Sequence, residues 1–411
     1  MPTGPEIHNM RLISHNDLQG YGNVGEGMAI QQLTNGRRIL WLAHETVIDF
    51  TGVDVTDIRN PKVIFQSELP HREMRSNSLA LVDDIMYVAH QSARPNLKPA
   101  GVDVYDVSDP ESPRIIGNWD GSGPNSRGCH CLWGVDGQYL HLASGTPDIN
   151  PRNAKDDQMY VVLDVSDPTK PSEAGRWWIP GTLEGDDEPP PERHPDFDSG
   201  FSMHNTNVYP ERPDRAYCAN KDGGVVILDI SDVSRPRQVA RLDYHPPLPG
   251  FTHTVVPLFN RELLVVTEES VRDSGADWPK LVWVMDMRVE SNPIMLASLP
   301  MPDTNDFFNR PGRFGAHNVH ENQPVSTSFI SEDLVFGTYF NGGLRVHDIT
   351  DPFQPKEVAY YIPEEPVGEH PSWQERPLAG VNINDVYVDE NRLVYAVDRQ
   401  TGGLHILELT I

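Results

Sequence analysis

One arrangement of apolar and polar positions recurs along the chain. A β-branched, alternating or continuous apolar strand ends on an acidic residue. A turn containing proline follows, and then a second, half-polar strand. It reads GVDVTDIRNPKVIFQSELP at 52–70, GVDVYDVSDPESPRIIGNW at 101–119 and YVVLDVSDPTKPSEAGRWWIP at 160–180. It continues as GGVVILDISDVSRPRQVARLDY at 223–244, LVWVMDMRVESNPIMLASLP at 281–300 and GGLRVHDITDPFQPKEVAYYIP at 342–363, and a shortened copy, GGLHILELTI, occupies 402–411. The acidic marks are Asp57, Asp106, Asp164, Asp229, Asp286, Asp348 and Glu408. Before each copy lies another strand pair with a polar hairpin, as in SLALVDDIMYVAH (78–90) and DVYVDENRLVYAVD (385–398). No 3.6-residue apolar period is sustained anywhere, so helices are not expected.

The marks recur about every 50–65 residues, the size of a four-stranded propeller blade with generous loops. The apolar strand packs between neighbouring blades, and the Ser-Asp-Pro segment builds a turn from short oxygen side chains and a fixed proline φ. The seventh copy stops at its third strand. NMRLIS (9–14) supplies a candidate fourth, and pairing the chain's start with its end removes two open sheet edges. The expectation is an all-β fold, one closed seven-bladed β-propeller over 1–411. The strand at 9–14 completes the last blade (382–411), and long loops cover one face.

The segments GGVVILDISD, VDVYDVSDP and LRVHDITDPFQP resemble LVIVD repeats, which are associated with β-propellers. The resemblance implies a scaffold and leaves the reaction open.

In a propeller the first strand of each blade lines the central channel. Aligning these first strands puts Glu26, Asn77, His130, His204, His253, His317 and Asn382 at equivalent positions. Four consecutive blades thus offer an imidazole at one height around one axis. Neutral imidazole suits iron, zinc, copper and nickel, and an all-histidine set without thiolate points to Fe(II) first, with Zn, Mn or Cu as alternatives. Glu26 and Glu321 are candidate acceptors that fix the ring tautomers; His320 with Glu321 and Glu26 are candidate proton-handling groups. In outline the arrangement resembles the four-histidine iron site of carotenoid-cleavage oxygenases, also seven-bladed propellers, which implies oxidative chemistry without naming a substrate.

The other histidines divide by place. His44, His90, His141, His347 and His405 lie on other strands and are expected to be structural. Cys129 and Cys131 flank His130 but alternate with it across a strand, so they are expected to pack rather than chelate. Three long loops, 181–203, 301–316 and 364–380, precede first strands and are expected to roof a pocket. Aromatic residues there (Phe197, Phe201, Phe307, Phe308, Phe314, Trp373) and Phe251 supply candidate apolar walls. Arg75 and Arg313 are candidates to grip a carboxylate, with Asn77 and Asn382 at the channel. The implied substrate is a small amphipathic molecule, aromatic and acidic.

Composition narrows the field. Asp and Glu number 60 against 33 Lys and Arg, a formal net charge of -27. That argues against nucleic acid or an anionic membrane as partner. Three cysteines give no disulfide framework, no secretory leader pattern is seen at the N-terminus, and no apolar run approaches a membrane span, so a cytoplasmic setting is expected. There is no P-loop, dinucleotide fingerprint or serine elbow. Three functional classes remain: a metal-dependent enzyme, either an oxidoreductase or a Lewis-acid lyase, hydrolase or isomerase; a non-catalytic binding scaffold; and a metal-free acid–base enzyme using His320 with Glu321.

Overall fold

The computed structural model describes residues 4–366, 380–400 and 402–411. Seven four-stranded antiparallel units surround one axis. In blade one the strands run Val24–Gln32, Arg38–His44, Ile48–Asp54 and Lys62–Glu68, from channel to rim. Blades two to five repeat this order, with inner strands Met74–Val82, Cys129–Trp133, Met203–Tyr209 and Thr252–Leu258. Blade seven consists of Ile383–Val388, Leu393–Asp398 and Leu404–Leu409, and its outer strand is Met10–Asn16. The expected closure by the N-terminal strand is therefore present. Among the described residues the one α-helix is Thr304–Phe308, and no helix is long and apolar enough to cross a membrane.

The N-terminus does more than close the ring. Glu6–His8 pairs with Tyr360–Ile362 and adds an outer strand to blade six. The chain steps from blade six to blade seven at Asn9, which adopts φ 50° and donates its amide to the Val358 carbonyl at 2.8 Å. Asparagine tolerates that left-handed conformation better than most residues. Two blades are thus tied by one short segment.

In five of the seven copies the acidic residue ends the third strand and caps the following turn. Asp106, Asp164, Asp229, Asp286 and Asp348 each accept the backbone N–H two residues on, at 2.8–3.0 Å. In the first copy the equivalent residue is Asp54, which accepts from Thr56 at 3.0 Å. Asp57 instead caps the next turn, accepting from Arg59. The expected mark at Asp57 is corrected by three residues: Asp57 matches the second turn aspartates Asp109, Asp167, Asp232 and Asp351, which cap in the same way.

Blade six departs from a regular inner strand. Residues 317–322 join the blade through His317 N–H to the Thr338 carbonyl, Thr338 N–H to the Asn318 carbonyl and His320 N–H to the Phe336 carbonyl. The segment then leaves the sheet before Pro324, which has no N–H to continue a ladder.

The core lies between blades. Trp41, Tyr87, Tyr160, Tyr217, Tyr387 and Tyr395 are almost fully buried there. His44, His90, His141, His347 and His405 are buried too, away from the axis, as expected of structural residues. Burial pushes His141 down to about 4, and its Nδ1 lies 2.7 Å from the Tyr160 hydroxyl. Its folded value lies below the unfolded one of about 6.5. Its contribution is therefore intact above about pH 6.5 and is lost as pH falls toward about 4. His141→Gln should flatten the fall of unfolding free energy between pH 6 and pH 4.5 by about 1.4 kcal/mol per pH unit. Urea titrations at several pH values read this, and an unchanged slope would contradict it.

Candidate metal centre

The histidines face the axis because every inner strand is bulged at its entry. Pairing of inner and second strands skips one residue at Asn77, His130, His253 and Asn384. In blade four His204 and Asn205 together oppose Ala219, and in blade six His317 and Asn318 both bond to Thr338. In blade one Gly25, Glu26 and Gly27 oppose Ala43. A bulge leaves its extra residue out of the ladder and re-aims the side chain. The equivalent residue in blade seven is thus Asn384, not the expected Asn382. Asn382 lies two residues out of register and spends its N–H on Asp398 at 2.7 Å.

Glycines flank Glu26 for a steric reason. A Cβ on Gly27 would lie 2.3 Å from the Leu79 amide nitrogen, and one on Gly25 would lie 2.9 Å from the Asn77 carbonyl oxygen. Both contacts are to the backbone of blade two. Gly27→Ala must push two inner strands apart, and we expect a loss of about 2 kcal/mol, the scale of core overpacking. Chemical denaturation checks this; a loss under about 0.5 kcal/mol would contradict the close approach.

The four imidazoles form a contiguous arc. Ring centroids are 4.4 Å apart for His130 and His204, 3.9 Å for His204 and His253, and 4.3 Å for His253 and His317. His204, His253 and His317 are at most 1% exposed, and His130 is 4% exposed. Each Nδ1 meets an oxygen. His130 faces Gln91 Oε1 at 3.1 Å, His204 faces Asn205 Oδ1 at 2.9 Å, His253 faces Thr254 Oγ1 at 2.8 Å and His317 faces the Asn384 carbonyl at 2.6 Å.

These acceptors are themselves fixed. Arg75 donates twice to Gln91 Oε1, Asn205 donates its amide to Glu321, and the Thr254 hydroxyl donates to Asn318. The network assigns the proton to Nδ1 in His204, His253 and His317, whose Nε2 lone pairs then point inward. His130 Nδ1 faces both the Gln91 oxygen and the Arg75 Nη2 donor at 3.1 Å, so either tautomer is served there.

Glu26 stands among them. Its carboxylate oxygens lie 3.4 Å from His253 Nε2, 3.3 Å from His317 Nε2 and 4.0 Å from His204 Nε2. Glu26 Oε2, His253 Nε2 and His317 Nε2 are buried without hydrogen-bond partners, which is costly unless something satisfies them. Three sets of three ligand atoms lie within 4.8 Å of one another: Glu26, His130 and His204; Glu26, His253 and His317; and His204, His253 and Glu269. These buried clusters can coordinate a metal.

His130 Nε2 and His204 Nε2 are 2.8 Å apart. Two imidazole nitrogens bound at right angles to one ion at 2.0–2.1 Å would be about 3.0 Å apart. The donor set and spacing therefore fit a metal.

The charges follow. Burial alone would push Glu26 up, but His253 and His317 beside it outweigh that and hold its carboxyl well below the usual range. Burial, reinforced by neighbouring His204 and Arg75, drives His130 well below the ordinary histidine value; burial and His253 do the same to His204. Burial, again with His253, pushes His317 down to about 4. For His130, His204 and His317 burial thus favours the neutral ring.

A second ring of charged residues supports the first. Arg399 contacts Glu26 and lies 3.2 Å from Glu45 and 3.5 Å from Glu269. Arg313 holds Glu269 at 2.8 Å and Arg75 holds Glu45 at 3.0 Å. Glu45, Lys221, Glu269 and Arg399 were not singled out in the sequence. Each sits one residue beyond the end of a second strand, after a buried polar residue (His44, Asn220, Glu268 or Asp398), and that repeated juxtaposition is the signal that could have found them.

Two cavities meet at Glu26. The upper one encloses about 880 Å³, part of it open to solvent, and is walled by His130, His204, Phe251, Lys221 and the arginine–glutamate pairs. The lower one encloses about 650 Å³ and is more apolar, with Met28, Leu79, Trp133 and Tyr387 beside Glu321 and Asp385. His130 and His204 line the upper cavity.

The remaining predicted residues are distributed unevenly. Arg75 and Arg313 line the upper cavity, but their guanidiniums are already ion-paired. Asn77 is fully buried at its bulge, and its side-chain nitrogen and oxygen have no partner. Phe314 does not form a wall: it is fully buried, stacked 4.8 Å from Phe307 and 5.9 Å from Trp278. Phe197, Phe201 and Phe308 likewise pack their own loops, against Arg272, Arg193 and Trp278. Trp373, and most of the loop at 364–380, lie outside the described residues.

His320 lines the lower cavity. Its Nε2 donates to the Phe329 carbonyl at 2.7 Å and its Nδ1 accepts from the Val388 N–H at 3.2 Å. With both nitrogens engaged by backbone, it has no lone pair for a ligand or a general base. Glu321 accepts from Asn205 at 2.6 Å and Asn207 at 3.0 Å, and burial raises its pKa.

Comparisons with known proteins agree on the scaffold. The LVIVD repeat family matches residues 154–178 and 214–243, in blades three and four. No curated protein matches the chain. Among solved structures, the chain is similar to the Cps50 (Swd1) β-propeller domain of Myceliophteria thermophila. The two are 12% identical with a TM-score of 0.55, covering 93% of this chain and 96% of that one. A protein from Lactobacillus plantarum is 12% identical with a TM-score of 0.54, over 87% and 90% of the two chains. A hypothetical selenium-binding protein from Sulfolobus tokodaii is 12% identical with a TM-score of 0.55, over 92% and 88%. Likenesses at this identity show the fold alone. No carotenoid-cleavage-oxygenase identity follows from these findings. What these findings establish together is a seven-bladed propeller carrying LVIVD repeats and a buried His/Glu cluster fit for a metal.

Proposed function

We propose that the chain is a metal-dependent enzyme. Its ion, Fe(II) first and Zn, Mn or Cu by the same donor chemistry, is held on Nε2 of His130, His204, His253 and His317. The reading is carried by one observation. Glu26 Oε2, His253 Nε2 and His317 Nε2 are buried together without hydrogen-bond partners, the two ring nitrogens 3.4 and 3.3 Å from the carboxylate, which is costly unless an occupant satisfies them. Burial disfavours a protonated imidazole there, so a metal is the better occupant.

When bound, iron supplies oxygen activation or Lewis-acid polarisation of a substrate oxygen. Oxidative transformation comes first in this reading, and lyase, hydrolase or isomerase chemistry second. The chain's residues do the rest. Gln91, Asn205, Thr254 and the Asn384 carbonyl orient the rings. Glu26 sets a fixed negative charge beside them and joins the two cavities. Glu321, with its raised pKa, is the proton-carrying group of the lower cavity, and His320 holds the Glu321 segment against blade seven. The upper cavity admits a small amphipathic molecule, aromatic and acidic. Three free, buried cysteines suit a reducing, cytoplasmic setting.

The test is turnover and dioxygen uptake with a panel of small aromatic acids, using iron-replete protein. Activity should vanish on chelation and return with Fe(II). Undiminished activity in protein shown to be metal-free would overturn the proposal.

A further inference from the structure

Three of the four cations around the upper cavity are matched by carboxylates: Arg75 by Glu45, Arg313 by Glu269 and Arg399 by Glu26. The fourth, Lys221, lines the same wall as His130 and His204. Among the described residues its ammonium has no carboxylate within ion-pair distance and no hydrogen bond. Its Nζ stands 5.4 Å from the centroid of the Phe251 ring. Its backbone is clamped, donating to the Ser202 carbonyl at 2.9 Å and accepting from Thr252 at 2.8 Å. The cation–π contact with Phe251 offsets part of the cost of burial, but among the described residues no anion neutralises the ammonium.

Phe251 is unusual on independent grounds. It is a bulky residue at φ 65°, a conformation that costs energy and is found where a site requires it. Its ring lies 5.7 Å from that of His204. The strained backbone presents an aromatic face between the unmatched ammonium and the histidine arc.

We infer that Lys221 and Phe251 are head-group ligands of the upper cavity, taking an aromatic or conjugated monocarboxylate with its carboxylate on Lys221 and its plane against Phe251. One negative charge completes the balance of the wall's side chains, the charge of a bound metal being additional. A second would face Glu45 and Glu269, and a neutral molecule would leave the ammonium unmatched. Arg75 and Arg313 hold the glutamates in place and are not the carboxylate grip. This inference rests on the proposed function for its reactive centre, but not for its binding contacts.

Titration calorimetry with sodium benzoate and its neutral analogue benzamide tests it, on metal-loaded and chelated protein. Wild type should prefer benzoate. Lys221→Met should weaken benzoate by about tenfold or more, the scale of a charge-assisted hydrogen bond, and leave benzamide unchanged. Lys221→Arg should keep benzoate within about threefold, and it carries the test should the methionine variant fail to fold. Equal benzoate affinity in wild type and Lys221→Met, no benzoate binding to wild type, or equal binding of benzamide and benzoate would each overturn the inference. Metal content of the same samples separates the two readings. Metal without benzoate binding sinks this inference alone; Lys221-dependent benzoate binding in protein that takes up no metal when iron-loaded sinks the metal centre alone.

Discussion

Replacing His204 and His253 together by alanine should lower bound metal from near one per chain to below about a tenth. These two rings occupy the middle of the arc, with centroids 3.9 Å apart. Each of the three ligand sets loses at least one member: His204 from the first, His253 from the second and both from the third. What is left is His130 at one end and His317 at the other. Loss of an outer-shell partner alone typically costs 10–100-fold in metal affinity, so loss of two ligands should cost well over about 100-fold. The fold should survive, because the ring is closed by strands and inter-blade packing remote from the axis. Elemental analysis alongside circular dichroism reads both. A folded double variant that keeps stoichiometric metal would place the ion elsewhere.

Arg399→Met should destabilise the protein by about 3–5 kcal/mol, the cost of removing one partner from a buried charge cluster. Arg399 is 9% exposed and touches or approaches Glu26, Glu45 and Glu269. Arg313 and Arg75 still hold two of these glutamates, but Glu26 loses its cation. The methionine fills similar space, so the loss reports charge rather than a cavity. Combining it with Glu26→Gln should recover part of the stability, since the amide no longer needs a cation; coupling of this kind is what a double-mutant cycle isolates. Urea unfolding of the four proteins is the measurement. Strict additivity, or a loss under about 1 kcal/mol for Arg399→Met, would show that the cluster is not what holds the axis together.

Much of this site could be read before any coordinates. The apolar strand with its acidic stop recurs often enough to give blade number, and blade number alone brings distant histidines to one axis. The strand before the first repeat had an obvious vacancy to fill in the last blade. What escaped was register. A bulge inserts one residue without changing the local pattern, so Asn382 looked equivalent to His253 when the bulge falls at Asn384. Five repeats carry aspartate at two turn positions three residues apart, and in the first the second of them, Asp57, stood in for Asp54. His320 looked available because its environment is built by Phe329 and Val388, and neither is near enough in sequence to suggest pairing with it. The loop aromatics were misplaced for a general reason: a phenyl ring in a long loop has arginines and rings of its own and of neighbouring loops to pack against, and Phe314 takes Phe307 and Trp278 over the cavity. The charged second ring was missed because residues such as Glu45 and Arg399 look like ordinary hairpin polar groups until the blades are closed around them.

The most direct measurement is anomalous diffraction at the iron edge from crystals of iron-replete wild-type protein. The expected result is one strong peak at the focus of the Nε2 atoms of His130, His204, His253 and His317, within ordinary metal–imidazole distance of them. A clean difference map with no peak there, and His130 and His204 sharing a proton across their short contact, would leave a propeller scaffold without a metal centre.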